Sequence, residues 1–172
     1  MCNLEKNPLL KEIKFTGTKQ IDEITGGEFY FNCTACGDCC RGGGNVYFSD
    51  EELQNLKEYL NLDAEKWKLL VKKLINFRKN RLHVHSSSKA CIFIGSENRC
   101  RIYPVRPLQC RSYPYWPSVF ESKAELLSHM KKCPGFNEKI SPISSLQIAR
   151  RVNSTVRLFN SQQSHPEDPI KL

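Results

Sequence analysis

The stretch Cys33-Thr34-Ala35-Cys36-Gly37-Asp38-Cys39-Cys40 places four cysteines within eight residues. A C-x2-C turn delivers two thiolates from one tight loop, and Gly37 supplies the backbone freedom that such a turn requires. Side chains of adjacent residues in extended backbone point to opposite faces. We therefore expect Cys39 and Cys40 to serve different metal ions, or one of them not to be a ligand. The stretch predicts a metal-binding loop around which the rest of the chain must fold.

Four further cysteines follow in the body of the chain, and Cys2 stands apart near its start. The segment from Cys91 to Cys100 is typical of a small hairpin that turns at residues 95–98, which would bring these two cysteines close together. Eight thiolates fit two four-cysteine sites, or one cluster with spare cysteines. The candidate metal ligands are Cys33, Cys36, Cys39, Cys40, Cys91, Cys100, Cys110 and Cys133.

Whether the cysteines bind metal or form disulfides depends on the redox state of the compartment in which the protein is located. The opening residues have neither the basic start nor the apolar run of a secretory signal, and no apolar run reaches the ~18 residues of a transmembrane helix. We therefore expect a cytoplasmic protein without a membrane span. Nine cysteines among 172 residues fall below the ~8–10% that marks a small secreted disulfide scaffold. Closely spaced cysteines in a reducing compartment favour metal binding, with disulfides as the alternative.

The spacing leaves the metal open between iron and zinc. Three cysteines at x2 spacing plus a remote one are a common way to hold a [4Fe–4S] cluster. Zinc sites more often combine two separate C-x2-C units, and this chain has only one tight end. The spacing therefore favours an iron–sulfur cluster over zinc without excluding zinc. The histidines (His83, His85, His129 and His165) are interpreted as solvated residues rather than ligands, with contact to a metal ligand as the alternative for His129, which lies four residues before Cys133.

Five motifs follow one another along the chain: Phe31-x-Cys33-x2-Cys36-Gly37-x-Cys39-Cys40, Cys91-x-Phe93, Cys100-x-Ile102-Tyr103, Arg106-Pro107-x2-Cys110-Arg111-x-Tyr113-Pro114 and Cys133-Pro134-Gly135. Their order resembles the CxxCxxCC cysteine-cluster proteins, also called YkgJ-like and described as a zinc- or iron-chelating domain. The resemblance covers roughly residues 29–136 and implies metal chelation by the eight body cysteines.

Two arginines flank Cys110 in the run from Arg106 to Pro114. Guanidinium groups there can donate hydrogen bonds to thiolates or sulfides, offset their negative charge and tune a redox potential. Ordinary surface or capping roles are the alternative. Arg106 and Arg111 are therefore candidate outer residues of the metal centre, in contact with its ligands rather than with the metal.

The patterns predict an α+β fold: a small, loop-rich domain held together by metal, with short strands and about four helices. Ser49 and Asp63 are candidate N-caps ahead of apolar residues at helical spacing, and Ser122 begins a third helix that should stop at Cys133-Pro134-Gly135. A last amphipathic helix is expected to begin at Ser141-Pro142. Short strands are expected at residues 29–32 and 45–48. Residues 1–28 are interpreted as a polar arm, 29–160 as the metal-binding domain and 161–172 as a disordered tail.

The net charge of +8 at pH 7 raises nucleic acid as a partner. Two four-thiolate zinc sites would lower that charge by four, so much of the basicity balances thiolates and supports nucleic-acid binding only weakly. The leading hypothesis is a protein that chelates iron or zinc. One rival is an iron–sulfur oxidoreductase or electron carrier, and another is a zinc-stapled RNA- or protein-binding module. The sequence indicates no catalytic residue and no oligomeric state.

Overall fold

A computed structural model describes residues 18–41, 45–74, 83–85 and 90–163. Six α-helices dominate these residues: α1 (Thr18–Thr25), α2 (Asp50–Tyr59), α3 (Ala64–Leu74), α4 (Leu108–Arg111), α5 (Lys123–Lys132) and α6 (Ser145–Gln163). Two short strands, β1 (Asn45–Tyr47) and β2 (His83–His85), pair antiparallel with Val46 opposite Val84. Single 3-10 turns occur at Asp38–Cys40, Tyr103–Val105, Pro117–Phe120 and Pro134–Asn137.

The predicted caps account for the starts of three of the six helices. Ser49 and Glu52 form a reciprocal capping box at the start of α2, and the Asp63 carboxylate accepts a 2.8 Å hydrogen bond from the Lys66 amide. Ser122 accepts from the amide of Glu125 at the start of α5, which ends at Lys132 as predicted. All four expected helices are present, but α1 and α4 were not expected, so the described part of the chain is mostly helical.

The start of α6 differs from the prediction. The helix begins at Ser145, not at Ser141-Pro142. Ser144 caps it, because the Ser144 amide donates to Gln147 Oε1 at 2.9 Å and the Gln147 amide donates to Ser144 Oγ. This reciprocal pair satisfies two backbone groups, whereas a proline at the first helical position supplies no hydrogen bond of its own.

The strand expected at residues 29–32 is also absent. The carbonyl of Phe29 accepts from the amide of Ile143, and the amide of Asn32 donates to the carbonyl of Gly135. These partners lie in two different loops, so the segment forms no ladder. The strand expected at residues 45–48 is present as β1, one residue shorter.

Two large apolar cores hold most of the helices, and a small third cluster packs Leu108 of α4 with Phe159 of α6. The first lies among α1, α5 and α6 and includes Ile21, Phe120 and Ile148, each fully buried. The second packs α2 and α3 against the segment around Phe93 and Ile102. Helix α1 falls within residues 1–28, so packed structure already includes Thr18–Thr25. No helix in the described ranges is long and apolar enough to cross a membrane.

Three of the candidate metal-binding cysteines pack against these two cores. Cys133 packs against the first core, whereas Cys91 and Cys100 pack against the second. Whatever joins these cysteines therefore also joins the two cores.

Candidate metal centre

The first four cysteines lie on a tightly wound loop, residues 33–40, which we call the cysteine loop. Ala35 and Gly37 both adopt positive φ values, of 54° and 77°. The chain then closes into a 3-10 turn, in which the amide of Cys40 donates to the carbonyl of Gly37 at 3.0 Å. The expected turn at Gly37 is confirmed, because this residue has the left-handed backbone that glycine adopts without strain.

Gly37 also lets the cysteine loop approach a second loop closely. A Cβ atom at this position would lie 2.5 Å from the carbonyl oxygen of Asn98 and 2.9 Å from the Cδ1 atom of Ile94. A side chain does not fit there. Beside this contact, the amide of Cys91 donates a 2.7 Å hydrogen bond to the carbonyl of Cys40. Two backbone contacts thus join the cysteine loop to residues 91–100.

Residues 91–100 fold back on themselves as predicted. Ile94 and Cys100 form an antiparallel bridge, and the amide of Gly95 donates to the carbonyl of Arg99 at 2.8 Å. The amide of Arg101 donates to the carbonyl of Phe93 at 2.9 Å. This hairpin brings Cys91 and Cys100 near enough for a charge on one to be felt by the other.

Gly135 also allows a close approach between two backbones, on the other side of the cysteine loop. A Cβ atom on Gly135 would lie 2.6 Å from the carbonyl oxygen of Asn32, and the two backbones share a 2.9 Å hydrogen bond from the Asn32 amide to the Gly135 carbonyl. Cys133, at the end of α5, is thereby held beside the entry to the cysteine loop.

The last cysteine, Cys110, lies on the four-residue helix α4. Its amide donates to the carbonyl of Pro107 at 2.9 Å. Two buried polar side chains hold this helix: Glu52 accepts from the amide of Leu108, and Gln109 Oε1 accepts from the amide of Tyr47 at 3.2 Å. The sequence did not predict a contact with α4 for either residue. Glu52 fits a local capping box with Ser49, and that local pattern gives no sign of its hydrogen bond to the Leu108 amide.

The thiols influence one another electrostatically, and Cys39 is the member they share. Burial raises the pKa of Cys91, Cys110 and Cys133, that of Cys110 to about 12, and the charge of Cys39 adds to each rise. Cys36 adds to the rise at Cys133, and Cys100 adds to the rises at Cys91 and Cys110. The charges of Cys39, Cys91 and Cys110 in turn raise the pKa of Cys40. Seven of the eight body cysteines therefore influence one another electrostatically, and Cys33 is the exception. Cys33 and Cys39 are the two exposed members of the set.

Cys39 and Cys40 do not diverge as expected. The 3-10 turn brings their sulfur atoms within hydrogen-bonding reach. The pKa of Cys39 falls because the Cys40 thiol donates to it, and the pKa of Cys40 rises because it keeps that proton. The expectation assumed extended backbone, whereas Gly37 winds the chain into a turn.

Arginine side chains surround the thiols unevenly. The guanidinium of Arg106 favours the charged form of both Cys39 and Cys110, and it stacks 3.6 Å from the ring centre of Tyr103. Arg101, which was not predicted from the sequence, favours the charged form of Cys91. Arg111 instead places its Nη2 atom 3.3 Å from Glu52 Oε1.

Tyr113 is the polar neighbour of Cys133. Its hydroxyl lowers the pKa of the Cys133 thiol and lies 3.4 Å from His129 Nδ1. Burial raises the pKa of Tyr113 and lowers the pKa of His129. His129 is therefore half-buried beside the centre rather than solvated as expected. The side chains of His83 and His85, and Cys2 and His165, lie outside the described residues.

The donor set fits a soft metal. All eight body cysteines are free thiols, so disulfides do not consume them. Within the described residues, no three Cys, His, Asp or Glu side chains already converge as a finished ion-binding group. The centre is therefore a set of neighbouring sulfur donors without oxygen ligands, and thiolates select zinc, copper(I) and iron–sulfur clusters.

Residues 32–141, more than half of the chain, match the model of the CxxCxxCC family, whose description is "putative zinc- or iron-chelating domain". The chain belongs to this family. Its cysteine set is therefore that of a family described by zinc or iron chelation, as the resemblance implied.

A similar protein is found in Methanocaldococcus jannaschii, where it is called "Uncharacterized protein MJ0661". It is 28% identical over 98 residues, which are 56% of this chain and 50% of the relative. The matched region thus spans about half of the relative's length. No solved structure matches the chain.

Proposed function

We propose that the chain binds zinc or iron through its eight body cysteines, at a centre that joins the two apolar cores. The observation that carries this proposal is the approach of separate cysteine-bearing segments to the cysteine loop. Backbone hydrogen bonds join it to the hairpin of Cys91 and Cys100, and join the residue before it to the turn that follows α5. The charge of Cys39 also raises the pKa of Cys110 on helix α4. Six of the eight thiols are half-buried, and without a metal such thiols supply only weak hydrogen bonds. Coordination of a metal would explain why the fold brings these thiols together.

The electrostatics of the centre support an anionic, metal-loaded state. Binding requires deprotonated thiols, yet burial raises the pKa of Cys91, Cys110 and Cys133. A bound cation reverses this penalty, because a coordinated thiol loses its proton. Arg106 and Arg101 supply further positive charge beside the same thiols.

For the form of the metal, we favour an iron–sulfur cluster. The support is the x2 spacing of Cys33, Cys36 and Cys39 together with remote cysteines on other segments. Such a cluster would supply one-electron redox chemistry, and zinc would supply structural cross-linking alone. Eight free thiols are stable in a reducing compartment, so the cytoplasm is the location that we propose for this function.

Anaerobic purification followed by elemental analysis and visible spectroscopy tests the proposal. A brown protein with about four irons per chain supports the cluster, and reversible bleaching on reduction would indicate an electron carrier or oxidoreductase. A colourless protein with one or two zinc ions supports a structural site, as in an RNA- or protein-binding module.

The matched variants are Cys39→Ser, which removes the shared thiol, and Cys2→Ser, which removes the cysteine outside the body set. Metal content should fall in the first and stay unchanged in the second. Equal metal content in the two variants, or wild-type protein without metal, would contradict the proposal.

A further inference from the structure

We infer that Glu52 is the positioning residue for Cys110, acting through helix α4. The inference rests on the proposed metal site, for which it names a supporting side chain outside the cysteine motifs. Glu52 lies in the first turn of α2 and is 7% exposed. A carboxylate this deeply buried is costly unless its oxygens accept hydrogen bonds.

The two oxygens of Glu52 bind two different parts of the fold. Oε2 accepts from the amide of Ser49 at 3.0 Å, which completes the capping box of α2. Oε1 accepts from the amide of Leu108 at 2.7 Å and from Arg111 Nη2 at 3.3 Å. The carboxylate therefore bridges the start of α2 and the start of α4.

Helix α4 depends on such a bridge because it has only four residues. A single helical turn is not stable on its own, since the cost of nucleation is not recovered within it. Tertiary contacts must fix it instead, and Cys110 is its third residue. The direction of the Cys110 side chain thus depends in part on the contact between Glu52 and Leu108, beside the Gln109 bond to the Tyr47 amide and the packing of Leu108 with Phe159.

Glutamine cannot replace this carboxylate. A carboxylate offers two acceptor oxygens, whereas an amide offers one oxygen and one nitrogen that only donates. In Glu52→Gln, either the Ser49 amide or the Leu108 amide loses its acceptor, and the bond that remains loses the negative charge that strengthens it, so the Leu108 contact weakens in either orientation. The variant keeps the size of the side chain, so it tests the hydrogen bonds rather than the packing.

The test is residue-resolved alkylation of the full chain as purified, with iodoacetamide and mass spectrometry. In Glu52→Gln, the alkylation rate of Cys110 should rise about tenfold or more, as expected for the loss of one charged hydrogen bond. The rate of Cys133, on the opposite core, should change by less than about twofold, since distant independent sites do not couple. Glu51→Gln is the matched control, because Glu51 is the exposed neighbour in the same helical turn, and it should change neither rate.

An unchanged Cys110 rate, or a uniform rise at all thiols in a variant with wild-type circular dichroism, would overturn the inference. If Glu52→Gln loses its native circular dichroism, Arg111→Gln decides instead. Its side chain is 54% exposed, so the variant should fold. Its Cys110 rate should rise about two- to threefold, in line with a weaker exposed ion pair, and no rise would refute the inference.

Metal content, measured in parallel, keeps the two proposals separate. Wild-type protein without metal contradicts the proposed function and leaves the alkylation result readable. Wild-type protein with metal, combined with an unchanged Cys110 rate in Glu52→Gln, contradicts only the role of Glu52.

Discussion

The amide of Cys91 donates a 2.7 Å hydrogen bond to the carbonyl of Cys40. This backbone contact joins the end of the cysteine loop to the start of the hairpin that carries Cys100. The main chain therefore holds Cys40 and Cys91 beside each other. A metal bound at the centre would add to an arrangement that the backbone has already begun.

Removal of the metal should unfold the region between the two cores. A structural four-thiolate zinc contributes an apparent ~10–16 kcal/mol, comparable to the ~5–15 kcal/mol net stability of a whole domain. Treatment with a strong chelator should lower the melting temperature and reduce the far-UV circular dichroism, and added metal should restore both. Unchanged melting curves and spectra after metal loss, verified by elemental analysis, would contradict this prediction.

Gly37→Ala should lower both the free energy of unfolding and the metal content. The positive φ costs ~1–2 kcal/mol for a residue with a Cβ, and the contact with the Asn98 carbonyl adds an overpacking cost of ~1–3 kcal/mol. Gly27→Ala is the control, because Gly27 has a φ of 82° but no neighbouring atom within 4 Å of the position that a Cβ would take. Urea unfolding of both variants separates the cost of the positive φ from the cost of the contact with Asn98. Equal losses of unfolding free energy in the two variants would show that the contact with Asn98 contributes nothing.

Tyr113→Phe should alter the spectrum of the bound metal with little effect on folding. The substitution removes the hydroxyl that lowers the pKa of Cys133 and lies near His129. The loss of one neutral hydrogen bond costs about 1 kcal/mol of stability, while the charge on a ligating sulfur changes directly. Tyr115→Phe removes a hydroxyl bonded to Arg151 instead and should leave the metal absorption bands in place. Identical bands in wild type and Tyr113→Phe would be the contrary result.

Arg106→Gln should weaken metal binding more than Arg111→Gln does. Arg106 favours the charged forms of Cys39 and Cys110, whereas Arg111 bonds to Glu52. Loss of an outer partner typically lowers metal affinity about 10- to 100-fold, so we expect at least about tenfold for Arg106→Gln. If the metal is redox-active, its midpoint potential should fall, because less positive charge remains to favour the added electron. Metal titration and potentiometry check this, and the reverse order of the two variants would refute it.

The local signals were strong enough to predict four helices and one hairpin. Ser49, Asp63 and Ser122 cap helices where their side-chain oxygens predicted it, because capping depends on residues within one turn. The start of α6 was misplaced because Ser141-Pro142 and Ser144 both carry capping signals, and only the reciprocal bond to Gln147 separates them. Helices α1 and α4 escaped prediction because tertiary contacts hold these short elements.

The sequence by itself determined the chemistry of this protein. The types and spacing of its cysteines, together with the glycines beside them, indicate soft-metal ligands and a family, since covalent chemistry and short-range turns follow from neighbouring residues. Only the tertiary structure decided which groups meet. Gly37 and Gly135 matter because backbones distant in sequence approach within the space of a missing Cβ, and Glu52 joins two helices that no local pattern connects. Such contacts depend on how the two cores pack, and local sequence patterns do not specify contacts between segments that are distant along the chain.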